Sequence, residues 1–113
     1  MNSFEKILEV CKRANVPAYP DFNTNNEDIF CVYNVASEHP NCFGDDSPGA
    51  VVVSLQLHLY MPKDMNFFTL KNNIRRLIFL RGFTYPEISL NAIEDDVRHI
   101  VFEFEDDDED YIN

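Results

Sequence analysis

Histidine, cysteine and paired carboxylates are the side chains here that could do chemistry, and their spacing limits what each can do. His39-Pro40-Asn41-Cys42 brings an imidazole and a thiol close together, with Asp45 and Asp46 just beyond. Such a set could begin a metal site. No second ligand pair stands at zinc spacing and the neighbours are turn formers, so a polar loop is expected there. His58 and His99 each fall on the polar phase of an alternating run, which predicts cross-strand neighbours in a sheet, not catalytic partners. Cys11 belongs to an apolar helical stripe and Cys31 sits mid-strand, where small buried thiols behave as hydrophobes and nothing lowers their pKa. Asp45-Asp46 and Asp95-Asp96 could supply acid–base pairs, yet both lie in turns, where aspartate serves the backbone. The glycines, Gly44, Gly49 and Gly82, form no phosphate-binding pattern. No enzymatic activity, cofactor or metal is expected.

The elements that must position these residues centre on the stretch from Ala50 to Arg81. Val53, Leu55, Leu57, Leu59 and Met61 share one face of a strand at period two, and Ser54, Gln56, His58 and Tyr60 take the other. Pro62-Lys63 ends that pattern and Asp64 can cap a helix with apolar positions Phe67, Leu70, Ile74, Leu77 and Ile78, closed by Gly82. Ahead of it, Asn2 or Ser3 can cap a first helix whose apolar face is Phe4, Ile7, Leu8, Cys11 and Ala14. Val16-Pro17 ends that helix, and Ala18-Tyr19-Pro20 reads as extended. Ile29 to Val35 suits a short strand and Ser37 to Gly49 an exposed loop. Phe83 to Leu90 can be an edge strand interrupted at Pro86, Asn91 to Asp96 a turn, and Val97 to Phe104 a strand. On that last strand Arg98, Ile100, Phe102 and Phe104 oppose Val97, His99, Val101 and Glu103. The whole predicts an α+β domain, a twisted, mainly antiparallel sheet of about four strands packed against two helices.

At 113 residues and 45% hydrophobic, the chain suits a single domain over residues 1–104, followed by an acidic, flexible tail over 105–113. No apolar run suits a signal segment or a membrane helix, and the odd set of three cysteines fits free thiols, so a soluble intracellular product without membrane contact is expected. The net charge of −11 argues against tight nucleic-acid binding. Glu103 and the run Glu105 to Asp110 hold 7 of the 20 acids, leaving 13 acids against 9 bases elsewhere. Most of the imbalance therefore sits at one end.

The second helix is informative as a surface. Its core stripe leaves Phe68 and Phe79 on a separate flank, interleaved with Lys71, Asn72 and Arg75, and no acid stands between Asp64 and Glu87. That flank either widens the core or presents an aromatic and basic patch to another protein. Candidate interface residues are thus Phe68, Lys71, Arg75, Arg76 and Phe79 on the helix, with Gln56, His58 and Tyr60 on the strand.

The order of features resembles a family of small tail proteins of long-tailed bacteriophages, the tail-terminator or tail-completion (minor tail) group. The matching residues are Val16-Pro17-Ala18-Tyr19 after the first helix, the strand Ile29-Phe30-Cys31-Val32-Tyr33, and the loop Cys42-Phe43-Gly44-Asp45-Asp46. Leu57-His58-Leu59-Tyr60, a short lysine-aspartate turn, the helix and Gly82-Phe83-Thr84-Tyr85 continue the pattern, and the last strand with its acidic end completes it, over roughly residues 4 to 105. The proline-bearing Ser37 to Gly49 element and the long acidic end depart from it, which leaves the terminator and a neighbouring connector component of similar fold both open. The resemblance implies a structural virion protein in virion assembly and head–tail joining: an oligomeric ring, commonly a hexamer, whose subunits wait as monomers before assembly. Its partners would be the chain itself, the tail-tube protein and the head–tail connector. It would occur in the host cytoplasm during assembly and then at the head-proximal end of the tail. In such a ring, Glu105, Asp106, Asp107, Asp108, Glu109 and Asp110 could face the lumen and repel passing DNA phosphates. The alternative is a small acidic DNA mimic or inhibitor that binds a basic partner.

Overall fold

The computed structural model describes residues 1–23, 26–41 and 50–108. In chain order it has α1 (Ser3–Arg13), β1 (Ala18–Pro20), β2 (Phe30–Asn41), β3 (Ala50–Pro62), α2 (Phe68–Leu80), β4 (Glu87–Glu94) and β5 (Val97–Asp108). The strands form one sheet in the order β1-β2-β3-β5-β4. All pairings are antiparallel except β1 with β2. The α+β architecture expected from the sequence is found, with five strands where about four are expected; the extra one is Ala18–Pro20, whose extended reading becomes a short parallel pairing with Cys31–Tyr33.

The helices cover one face of the sheet. From β3, Val53, Leu55, Leu57, Leu59 and Met61 all enter the core, none more than 4% exposed. They meet Cys31 and Tyr33 of β2, Ile100, Phe102 and Phe104 of β5, and Ile7, Val10, Cys11, Ile74 and Ile78 of the helices. Each fully buried Val, Leu, Ile, Phe or Met among them contributes about 1.5–3 kcal/mol. In α1 the stripe is rotated from expectation: Val10 is buried and Leu8 is 44% exposed. A capping box fixes its start, Asn2 Oδ1 accepting from Glu5 N at 2.8 Å and Glu5 Oε1 from Asn2 N at 3.2 Å. Asp64 does not cap α2; the helix begins later, after Phe67, with Asn66 Oδ1 accepting from Phe68 N at 3.0 Å. Gly82, at φ 106°, leaves the helix in a conformation that side chains resist.

Three boundaries move because pairing to a neighbour overrides local turn propensity. Strand β2 runs on through Asn41, Ser37–Asn41 pairing with Ala50–Ser54, so the first part of the expected loop is strand and 42–49 lie outside the described residues. Strand β4 starts only after Pro86, which cannot donate to a ladder; Asn91 to Ile93 are strand, and the turn contracts to Asp95 and Asp96, both at positive φ. Finally, β5 continues past Phe104: Glu105 to Asp108 pair with Ser54 to Val51. Residues 105–108 are thus part of the sheet and not a flexible tail, since the ladder and one buried carboxylate hold them. That carboxylate is Asp106, 9% exposed, which accepts from Lys6 Nζ at 2.7 Å and from Ser3 Oγ at 2.8 Å.

Candidate functional site

Two surfaces gather the polar and aromatic side chains. The first is the sheet face opposite the helices, which no described element covers. Because residue alternation is fixed by the strand, Asn34, Gln56, His58, Tyr60, His99 and Glu103 all project there, each half-buried. Val32 and Val101 stand directly opposite His58 on the neighbouring strands and are buried.

The hydrogen bonds on this face run in one direction. The Glu103 carboxylate can only accept, so Gln56 donates Nε2 to it at 3.0 Å and keeps Oε1 for Asn34 Nδ2 at 3.2 Å. Asn34 Oδ1 then accepts from His58 Nε2 at 3.0 Å. This leaves His58 Nδ1 without a proton, free to accept from His99 Nε2 at 2.8 Å. Both imidazoles are held neutral: burial lowers the pKa of His58, His99 lowers it further, and Glu103 opposes. Burial likewise lowers His99 against the opposing pull of Glu94. Burial and Glu94 raise the Tyr60 phenol.

Phe30, Tyr60 and His99 stack across three strands, with centroids 4.9 and 4.4 Å apart and interplanar angles of 20° and 11°. Rings stacked on one another turn their edges outward, whereas single-stranded nucleic acid needs exposed ring faces. His58 and His99 are the cross-strand neighbours expected from the alternation. The network brings no thiol or hydroxyl nucleophile to either imidazole. Among the described residues no group of three or more His, Cys, Asp or Glu could hold a metal ion. Cys42, Asp45 and Asp46, which the sequence places beside His39, lie outside the described residues. Cys11 and Cys31 are buried free thiols, and the hydrogen bond that the Cys31 thiol donates to Cys11, together with burial, pushes its pKa well up. A thiol so disfavoured from ionising is a poor nucleophile.

The second surface is the flank of α2. Phe68 and Phe79 are 58% and 52% exposed, so this flank does not widen the core. Lys71 Nζ lies 5.0 Å from the Phe68 centroid and 5.5 Å from that of Phe67, over which Arg98 sits at 4.2 Å. Arg75 lies 5.5 Å over Tyr85, which meets Phe79 edge-on at 5.7 Å. The ion pairs of the described residues are Lys6–Asp106, Lys63–Asp96 and Arg81–Glu9; none uses these three cations. Arg75 Nε and Arg98 Nε are screened from solvent and donate to nothing. Arg76 is separated from this group, on another side of the helix with its guanidinium on Asn73.

Sequence reasoning thus found Phe68, Lys71, Arg75 and Phe79 together but missed Arg98 and Tyr85. A signal for Arg98 exists: it is the one charged residue in the core-facing phase of Val97 to Phe104. Around the same edge of the sheet, on the open face, Glu87 stands opposite Glu103 in register and Glu105 follows on β5. These acids border a depression of about 500 Å³ that Ser54, Thr84 and Tyr85 also line. Of the acids expected to form a lumen-facing tail, Asp106 is committed to Lys6 beneath the sheet, while Glu105 and Asp107 are exposed; Glu109 and Asp110 lie outside the described residues.

No protein-family model and no curated protein matches this chain.

Proposed function

We propose that this chain is a structural subunit of a long-tailed phage virion, a tail-terminator or tail-completion protein that closes the tail tube as a ring and joins it to the head connector. One observation carries the reading: a single domain presents an exposed cation–aromatic stripe on α2 and a carboxylate cluster on the opposite sheet face, around one edge. Two unlike, complementary patches on one subunit favour head-to-tail contacts, which close into rings when the rotation allows. The motif resemblance over roughly residues 4 to 105 and the α+β sheet-on-helices architecture are consistent with it. The work such a subunit does is mechanical, and its residues act by binding: the stripe and the Gln56, His58 and Tyr60 face meet neighbours, while exposed acids such as Asp107 keep DNA phosphates from adhering.

Tail-tube protein from the same phage genome, polymerised with and without the purified chain, tests the assignment. Electron microscopy should reveal tubes of bounded length with a ring at one end. Unbounded tubes with bare ends, or a monomer that instead binds a basic enzyme in a salt-sensitive way, would overturn it in favour of the acidic-mimic alternative.

A further inference from the structure

The geometry points to one specific contact: the Lys71, Arg75 and Arg98 cations of one copy receive the Glu87, Glu103 and Glu105 carboxylates of a second copy. This inference rests on the ring assignment above and names the surfaces that would build it. The argument begins with what each patch lacks. In a chain of net charge −11, three cations stand beside aromatic rings with no acidic partner among the described residues, Arg98 Nη1 donating only to the neutral Asn91 Oδ1 at 2.7 Å. Guanidiniums fixed over rings are preorganised donors for carboxylates, because little rotamer freedom remains to be lost on pairing.

On the other side, Glu87 and Glu103 are direct cross-strand neighbours of like charge, an arrangement that costs stability in the isolated subunit. Gln56 Nε2 occupies one oxygen of Glu103 at 3.0 Å, which leaves further acceptor capacity. No described cation neutralises the cluster, and the depression of about 500 Å³ beside it is open to an incoming side chain. Three cations thus face three carboxylates, with Phe68, Phe79 and Tyr85 supplying apolar area. The carboxylates stand on the open face of the sheet and the cations on its helix-covered side, with Tyr85 between them at the β4 edge, and no ion pair joins the two groups within the described residues. The occupant that satisfies both is a second copy placed head to tail.

Sedimentation velocity on the full chain at rising concentration, with circular dichroism to verify folding, tests the contact. Wild type should self-associate, and Arg75→Glu alone or Glu103→Lys alone should weaken this by about tenfold or more. An equimolar mixture of the two variants should associate again, and added salt should weaken every association. Lys71→Glu, at a position without a buried donor nitrogen, and Glu87→Lys, at an exposed one, give the same readout if either first variant fails to fold. Wild-type monomers up to about 1 mM, unchanged association in the single variants, or no recovery in the mixture overturns the contact. Rings seen on tail tubes despite that result would reject this interface alone; bare tubes would reject the ring assignment with it.

Discussion

At the scale of residues, the open sheet face is a hydrogen-bonded row whose direction is set by its end. Because Glu103 accepts, every amide and imidazole back to His99 must donate toward it. A proton added to His58 Nδ1 would meet the donating Nε2 of His99, so the row is complete only while His58 is neutral. The sign of the pH effect follows. Both histidine pKa values are lowered on folding, so the unfolded chain binds protons that the folded chain refuses. The stability contributed by the neutral pair is complete above the ordinary histidine value of about 6.5 and is lost as pH falls through the lowered folded values. The urea midpoint should therefore drop between about pH 7.5 and about pH 5.5, and the drop should shrink in His99→Asn. An equal drop in that variant would remove the pair from the explanation. Alternation placed His58 and His99 on the polar phases of two strands and predicted them as cross-strand neighbours; it could not show that Asn34 and Gln56 link the pair to Glu103, because register between β2, β3 and β5 is a long-range property.

At the scale of elements, the β4–β5 hairpin illustrates how pairing trims a turn. Asp95 and Asp96 are both left-handed, at φ 51° and 65°, the conformation of a two-residue turn that matches strand twist. Asp96→Val should destabilise the protein by about 1–2 kcal/mol, since a β-branched residue resists that region. Asp96→Gly should change stability by less than about 0.5 kcal/mol, the relief of strain being offset by unfolded-chain entropy and loss of the Lys63 bridge. That bridge, 2.8 Å long, joins side chains that are 44% and 82% exposed, so it contributes little. Thermal melts of the two variants separate the cases, and equal melting would contradict the backbone argument. Helix α1 was legible down to its Asn2 cap because capping is local. The start of α2 was not: Asp64 suits a cap by residue type, but Met65 N bonds back to Pro62 O and keeps that segment a turn.

At the scale of the molecule, the acidic end divides into two parts. Residues 105–108 complete β5, and Asp106, with its side chain 7% exposed, meets Lys6, 17% exposed. A chain ending after Phe104 loses this partner for a nearly buried ammonium as well as four ladder residues. It should be about 2–4 kcal/mol less stable than the full chain by urea denaturation. A chain ending after Asp108 should match the full chain. Equal stability of the two truncations would mean that the end of β5 contributes nothing. Any effect of the acids on DNA passage is therefore to be read from the longer truncation, where the fold is intact.

The fold class, the helices and the faces of β3 and β5 are written in the sequence, because periods of two and 3.6 are enforced by backbone geometry within each segment. The exposure of the α2 flank also has a local root, its basic and aromatic mixture between Asp64 and Glu87. What only the tertiary structure decided depends on residues far apart in the chain: the strand order β1-β2-β3-β5-β4, the recruitment of 105–108 into the sheet, and the meeting of Asn34, His58, His99 and Glu103. The same holds for Arg98 beside Phe67 and Arg75 beside Tyr85. Local propensity carries no information about which strands become neighbours; burial of one shared core and satisfaction of the ladder hydrogen bonds settle it.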